Sequence, residues 1–179
     1  MDAFLADLAG IPHSRDAAAL RVKSADFSWF SPIMSAALGG RLADVVVSPR
    51  NEEDVLRIAA ACAKHRMPLV ARGGGTGNFG QAVPLAGGAV VEMTALDKIV
   101  FQRSHVARAQ AGIRLVKLDE ELRKNGQELR MHPSTKKLST GCEARLMPWA
   151  ARCWPIAPGR PVKARRCRCC DMRAPSLTG

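Results

Sequence analysis

The sequence predicts a mixed α+β domain, a sheet with flanking helices, and three observations lead there. Val45-Val46-Val47 is a β-branched run, the mark of a short buried strand. Val55, Ile58, Ala59 and Cys62 recur at i, i+3, i+4 and i+7, which is one face of a helix. Five glycines crowd positions 73–80 directly after a second apolar strand. From Asp44 onward the order reads β-α-β-loop-β-β-β-α-β, a layered mixed domain.

Each element has a local cause. In residues 1–43 partial helix is expected, with Phe4, Leu5 and Leu8 on one face and an aromatic cluster of Phe27, Trp29, Phe30 and Ile33 around Pro32. This segment is read as a lead-in that packs on the domain. Ser48-Pro49 ends the first strand, and Asn51 offers an N-cap. Glu52, Glu53 and Asp54 sit in the first turn, where the helix dipole favours acids, and Lys64-His65-Arg66 close the helix with positive charge. Met67–Ala71 and Gly88–Met93 read as strands, as do Ile99–Phe101 and His105–Ala109. Leu115, Leu118 and Leu122 mark a second helix face, stopped at Gly126, a natural C′ residue. Glu128–Met131 reads as a short final strand leading to His132-Pro133-Ser134.

Composition bounds the function. A chain of 179 residues supports one domain with a real core. No apolar run approaches the roughly 20 residues of a membrane helix. Met1–Asp7 carries acids where a secretory signal carries Lys or Arg. A soluble cytoplasmic protein is the expectation. The net charge of +11 raises nucleic acid as a partner. However, residues 141–179 hold eight of the 27 Lys/Arg and only two of the 16 Asp/Glu, so more than half of the excess sits in the last fifth of the chain.

The glycine run carries the chemistry. Glycine admits positive φ and close backbone approach, so Gly73-Gly74-Gly75-Thr76-Gly77 after a strand can aim several N–H groups at one anion. A diphosphate is the natural guest, with Thr76 adding a hydroxyl and Asn78 an amide. A ligand-free surface loop is the competing reading. Gly75–Gly80 matches the dinucleotide spacing G-x-G-x-x-G, but that motif needs a helix next, and Pro84 and Gly87-Gly88 oppose one. Gln81 stands where a Walker loop requires Lys. No His/Cys/carboxylate cluster in residues 1–140 has metal-ligand spacing. His132 is read either as a catalytic base or as a loop residue beside Pro133. Lys136-Lys137 either neutralise phosphate or form a solvated pair.

Several spaced motifs then agree in order: Asp44–Pro49, the Asn51-capped helix, Pro68-Leu69-Val70, Arg72 through Gln81, Gly87–Met93, Ala109-Gln110-Ala111-Gly112 and His132–Thr135. Together they resemble the FAD-linked oxidases of the vanillyl-alcohol oxidase and p-cresol methylhydroxylase (PCMH) type, in the branch of glycolate and D-lactate dehydrogenases. The resemblance implies a PCMH-type FAD-binding domain over residues 44–140, of which this chain holds the first half. It implies that the backbone amides of Gly73, Gly74, Gly75, Thr76 and Gly77 cradle the FAD diphosphate, with Arg72 and Asn78 beside them at the cofactor, and that Pro133, Ser134 and Thr140 approach the cofactor from a second segment. Noncovalent FAD is expected, because no His or Cys occurs from Arg72 to Gln81. The implied reaction is oxidation of a small 2-hydroxy acid or alcohol, with hydride passing to flavin N5 and then electrons to an acceptor. No catalytic residue is named, since the family's substrate domain lies beyond the match.

The match stops near Thr140. Residues 141–179 are basic and rich in Arg, Pro and Cys, and hold five of the six cysteines. A reading-frame shift near residue 140 and a disordered, truncating tail are the expectation. Zinc ligation by Cys153, Cys167, Cys169 and Cys170 is opposed by their C-x-C-C spacing. Two further readings of the chain are a catalytically inactive remnant of such an enzyme and a basic nucleic-acid-binding protein.

Overall fold

The computed structural model describes residues 1–103, 106–129, 133–141 and the backbone of 153–155. Expectations placed on His105, Arg130, Met131 and His132, and on the rest of the tail, lie outside these residues.

A four-stranded sheet forms the centre, in the order β1 (His13–Ser14), β2 (Val45–Val47), β4 (Ala89–Glu92), β3 (Leu69–Arg72). β2, β4 and β3 run parallel, with Val45 opposite Ala89 and Leu69 also opposite Ala89, whereas β1 joins antiparallel. The inner strands β2 and β4 are buried on both faces, as parallel strands usually are, whereas the edge strand β3 leaves Leu69 and Ala71 exposed; the two-residue period of a strand divides the core between the two faces. Val45, Val47, Ala89 and Val91 pack on one side with Phe4, Leu8, Ile11, Ile58, Ala61 and Cys62. Val46 and Val90 pack on the other with Ala43 and, at its edge, Leu20.

The first 43 residues are more ordered than their sequence suggests. They hold α1 (Asp2–Asp7), β1, α2 (Ala17–Lys23), a 3-10 turn at Phe27–Phe30 and α3 (Pro32–Leu38). Phe4 and Leu8 are fully buried against α4 (Glu52–Lys64) and the sheet. The aromatic cluster stays at the surface: Trp29 stacks on Phe30 with centroids 3.7 Å apart, yet both remain mostly exposed.

α4 begins as expected, with the Asn51 carboxamide oxygen accepting the Asp54 N–H at 2.7 Å. Replacing Asn51 with Ala should therefore cost about 1 kcal/mol in a denaturant titration; an unchanged midpoint would show that the cap contributes nothing. The buried face is rotated from the expected one. Asp54, Ile58, Ala61 and Cys62 are buried, whereas Ala59 is exposed. Ala59 stands about 100° around the helix from Ile58, and the side that α1 and the sheet cover centres on Ile58. Burial of the Cys62 thiol in this core pushes its pKa up, as suits an inert packing residue.

A hairpin of β5 (Ile99–Arg103) and β6 (Val106–Ala109) follows, then α5 (Leu115–Lys124) and β7 (Gln127–Leu129). Leu115, Leu122 and Leu129 form a second small core. Gly126 takes φ +66° and closes α5 in the position predicted for it. Within the tail that was expected to lack regular structure, β8 (Cys153–Pro155) pairs antiparallel with β7, Leu129 opposite Cys153. Such pairing runs through the backbone, and so a strand partner can be found irrespective of side chains. Among the described residues no helix is long and apolar enough to cross a membrane.

Candidate cofactor site

The glycine run leaves β3 at the edge of the sheet, and residues 81–88 after it form turns. Two carbonyls of the run point inward. The Arg72 guanidinium, buried under the loop, donates to Gly73 O at 3.2 Å and to Ala25 O at 3.1 Å. The Phe27 N–H donates to Gly77 O at 2.7 Å. In a trans peptide the C=O and the following N–H point in opposite directions. Hence the Gly74 and Asn78 N–H groups are turned away from the protein interior. Among the described residues, the N–H groups of Gly74, Thr76, Gly77 and Asn78 have no protein acceptor. Successive backbone donors left without a protein acceptor are what an anion nest requires.

Gly75 explains why the run must be glycine. Its φ is +71°, and a Cβ there would collide with the Arg72 guanidinium. The guanidinium can occupy its bracing position only beneath a residue with no side chain.

A segment near the N-terminus holds the loop from below. Besides the Ala25 and Phe27 contacts, the buried Asp26 carboxylate accepts from Ser28 N at 2.9 Å and from Ala82 N at 3.4 Å. Both ends of residues 73–82 are thus anchored to residues 25–28. Sequence reasoning missed Asp26, because its contact with the loop is to Ala82, 56 residues away, and its local bond to Ser28 N looks like an ordinary cap.

The second segment reaches the loop through hydroxyls. Thr76 Oγ1 lies 2.7 Å from Ser139 Oγ, which lies 2.9 Å from Thr135 Oγ1. Thr140 is buried and bridges to Arg114. Pro133 is half-buried and Ser134 exposed. The backbone of this segment also caps α5, whose N-terminus has no side-chain cap: Leu115 N donates to Ser139 O at 3.0 Å and Val116 N to Lys136 O at 3.1 Å. The two segments are therefore joined by Thr76 and Ser139, and Ser139 was not among the residues expected to bind. Lys136 sits 3.7 Å from Asp119, so it is engaged by a carboxylate; Lys137 is exposed.

Among the described residues, cavities of about 510 and 290 Å³ lie elsewhere. The larger is an apolar space between α4, the β5–β6 hairpin and α5. Neither is lined by a residue of the glycine run.

Comparison with known proteins says which kind of domain this fold is. The FAD binding domain family matches residues 43–141, more than half of the chain. The chain belongs to that family. It is 31% identical over 99 residues to glycolate oxidase subunit GlcD of Bacillus subtilis, and 36% identical over 100 residues to a D-lactate dehydrogenase of Archaeoglobus fulgidus. Each match covers 54% of this chain but only 21% and 22% of the relative, so the chain spans about a fifth of those proteins. Among solved structures, alkyldihydroxyacetonephosphate synthase superposes with a TM-score of 0.70 at 22% identity, covering 80% of this chain and 31% of that one. A berberine-bridge-enzyme-like protein of Physcomitrella patens superposes at 0.61 and 15% identity, covering 76% and 29%. The mixed sheet with flanking helices is thus the fold of FAD-binding domains of the PCMH type.

Proposed function

We propose that this chain is the diphosphate-holding part of an FAD-dependent oxidoreductase acting on a small 2-hydroxy acid or alcohol. One observation carries the reading: among the described residues the N–H groups of Gly74, Thr76, Gly77 and Asn78 have no protein acceptor, in a loop whose Thr76 hydroxyl meets that of Ser139. That donor set suits a diphosphate, because each N–H held in place beforehand loses little freedom on binding an anion. Bound FAD supplies the redox chemistry, accepting hydride at flavin N5. The protein residues position it. Gly73 to Gly77 and Asn78 hold the diphosphate, Arg72 braces the loop from beneath, and Pro133, Ser134 and Thr140 approach the cofactor from the second segment. The substrate class rests on the relatives named glycolate oxidase and D-lactate dehydrogenase. The partners are that substrate and an electron acceptor.

The first test is a titration of the purified chain with FAD, followed by flavin fluorescence and visible absorbance. Saturable binding of one FAD per chain is expected; a folded chain that leaves flavin fluorescence unchanged would reject the reading. Attachment is proposed to be noncovalent, since no His or Cys occurs from Arg72 to Gln81. Acid precipitation of the loaded protein should accordingly leave all the flavin in the supernatant. Yellow colour retained in the pellet would refute noncovalent binding.

A further inference from the structure

Ser139 is 2% exposed and its hydroxyl touches two others, Thr76 Oγ1 and Thr135 Oγ1. A hydroxyl has one hydrogen to give and two lone pairs to receive. In a row of three, the two internal bonds use two hydrogens, and the third leaves from either end, or from Ser139 when both neighbours donate to it. Thr76 is the end that lies in the glycine run, among N–H groups without a protein acceptor. An anion at that nest favours the order Thr135 to Ser139 to Thr76 to anion. The last bond is then charge-assisted, and each hydroxyl polarises the next.

We infer that Ser139 is a positioning residue, tying the second segment to the glycine run and fixing Thr76 as a donor to the bound diphosphate. The inference rests on the reading of Gly73–Gly77 as the diphosphate cradle. It goes further in assigning a role to a buried hydroxyl that makes no claim to touch the cofactor. Ser139 also binds α5 through its carbonyl, which accepts from Leu115 N. That contact is backbone and survives substitution of the side chain, so the two roles of the residue can be separated.

The test is a double-mutant cycle on the full chain, with FAD affinity read from flavin fluorescence. Ser139→Ala should weaken FAD binding about tenfold, the scale of one hydrogen bond to a charged group. Thr76→Val should weaken it by at least as much. Adding Ser139→Ala to Thr76→Val should cost less than about twofold more, because Ser139 then has no donor left to direct. ADP, which carries the diphosphate without the flavin, should lose affinity for Ser139→Ala by the same factor as FAD. If Ser139→Ala does not fold, Ser139→Cys, with its weaker donor, carries the same expectations. Additive losses would overturn the inference, showing a purely structural Ser139. So would unchanged FAD affinity in Ser139→Ala, or a loss for FAD with none for ADP. A folded wild-type chain that binds neither FAD nor ADP would overturn the cradle reading itself, and the inference with it; the wild-type titration separates that case from the others.

Discussion

Gly75→Val should lower FAD affinity by at least about 100-fold, the equivalent of losing two hydrogen bonds to a charged group. Two effects act together. At φ +71° a β-branched side chain is strained, and its Cβ would occupy the space of the Arg72 guanidinium. Relief requires either Gly75 to leave the left-handed region or Arg72 to release the carbonyls of Gly73 and Ala25. Each route turns the Gly74 N–H away from the nest. The strain itself should cost about 1–3 kcal/mol of stability. Gly10→Ala provides the control. Gly10 also has positive φ, +82°, but a Cβ there meets nothing within 4 Å. It should lose stability modestly and bind FAD as the wild type does. Equal FAD affinity in Gly75→Val and wild type would place the diphosphate somewhere other than this loop.

Asp119→Ala should cost about 2–3 kcal/mol of stability and should change the acid limb of the stability curve. The carboxylate is buried on α5. It accepts from Leu129 N at 3.0 Å and from Arg123 Nε at 3.1 Å, with Lys136 3.7 Å away. Burial pushes its pKa up, but the Leu129 N–H, the Arg123 guanidinium and the Lys136 charge outweigh this and hold it below the ordinary 3.8. A group whose pKa is lower folded than unfolded contributes stability in full above the unfolded value. That contribution shrinks as pH falls below 3.8 and vanishes below the folded pKa. Asp54 behaves in the same direction, chiefly through the Arg50 N–H. Wild type should therefore lose stability as pH falls through this range, and Asp119→Ala should lose less of it. Chemical denaturation at pH 6 and pH 3 measures the difference; parallel losses in both proteins would remove Asp119 from the account. The expected defect also reaches the cofactor segment, since Asp119 pairs with Lys136 and α5 is capped by Ser139.

Local signals foretold most elements because their causes are local. The β-branched run at Val45–Val47, the Asn51 cap and Gly126 at the end of α5 each act within a few residues, and each is found in place. Where a partner decides, the sequence was less informative. The helix face of α4 is set by α1, and so Ala61 rather than Ala59 is buried. The helices of residues 1–43 rest on Asp16, Ser31 and Pro32 as caps or first-turn residues, which are weaker signals than a long apolar stripe. The pairing of β8 with β7 joins backbones far apart in sequence, which the composition of the tail does not mark.

The glycine run shows the same division. Sequence by itself determined that residues 73–77 follow a strand, lack a helix behind them and resemble an FAD diphosphate loop, because glycine content and spacing are properties of one stretch of chain. Tertiary structure decided which amides face outward, since that depends on Arg72 and Phe27 drawing the carbonyls of Gly73 and Gly77 inward. It also decided that Thr76 meets Ser139, sixty-three positions later. A hydrogen bond is fixed by distance and direction in space, and residues so far apart in sequence carry no local trace of it.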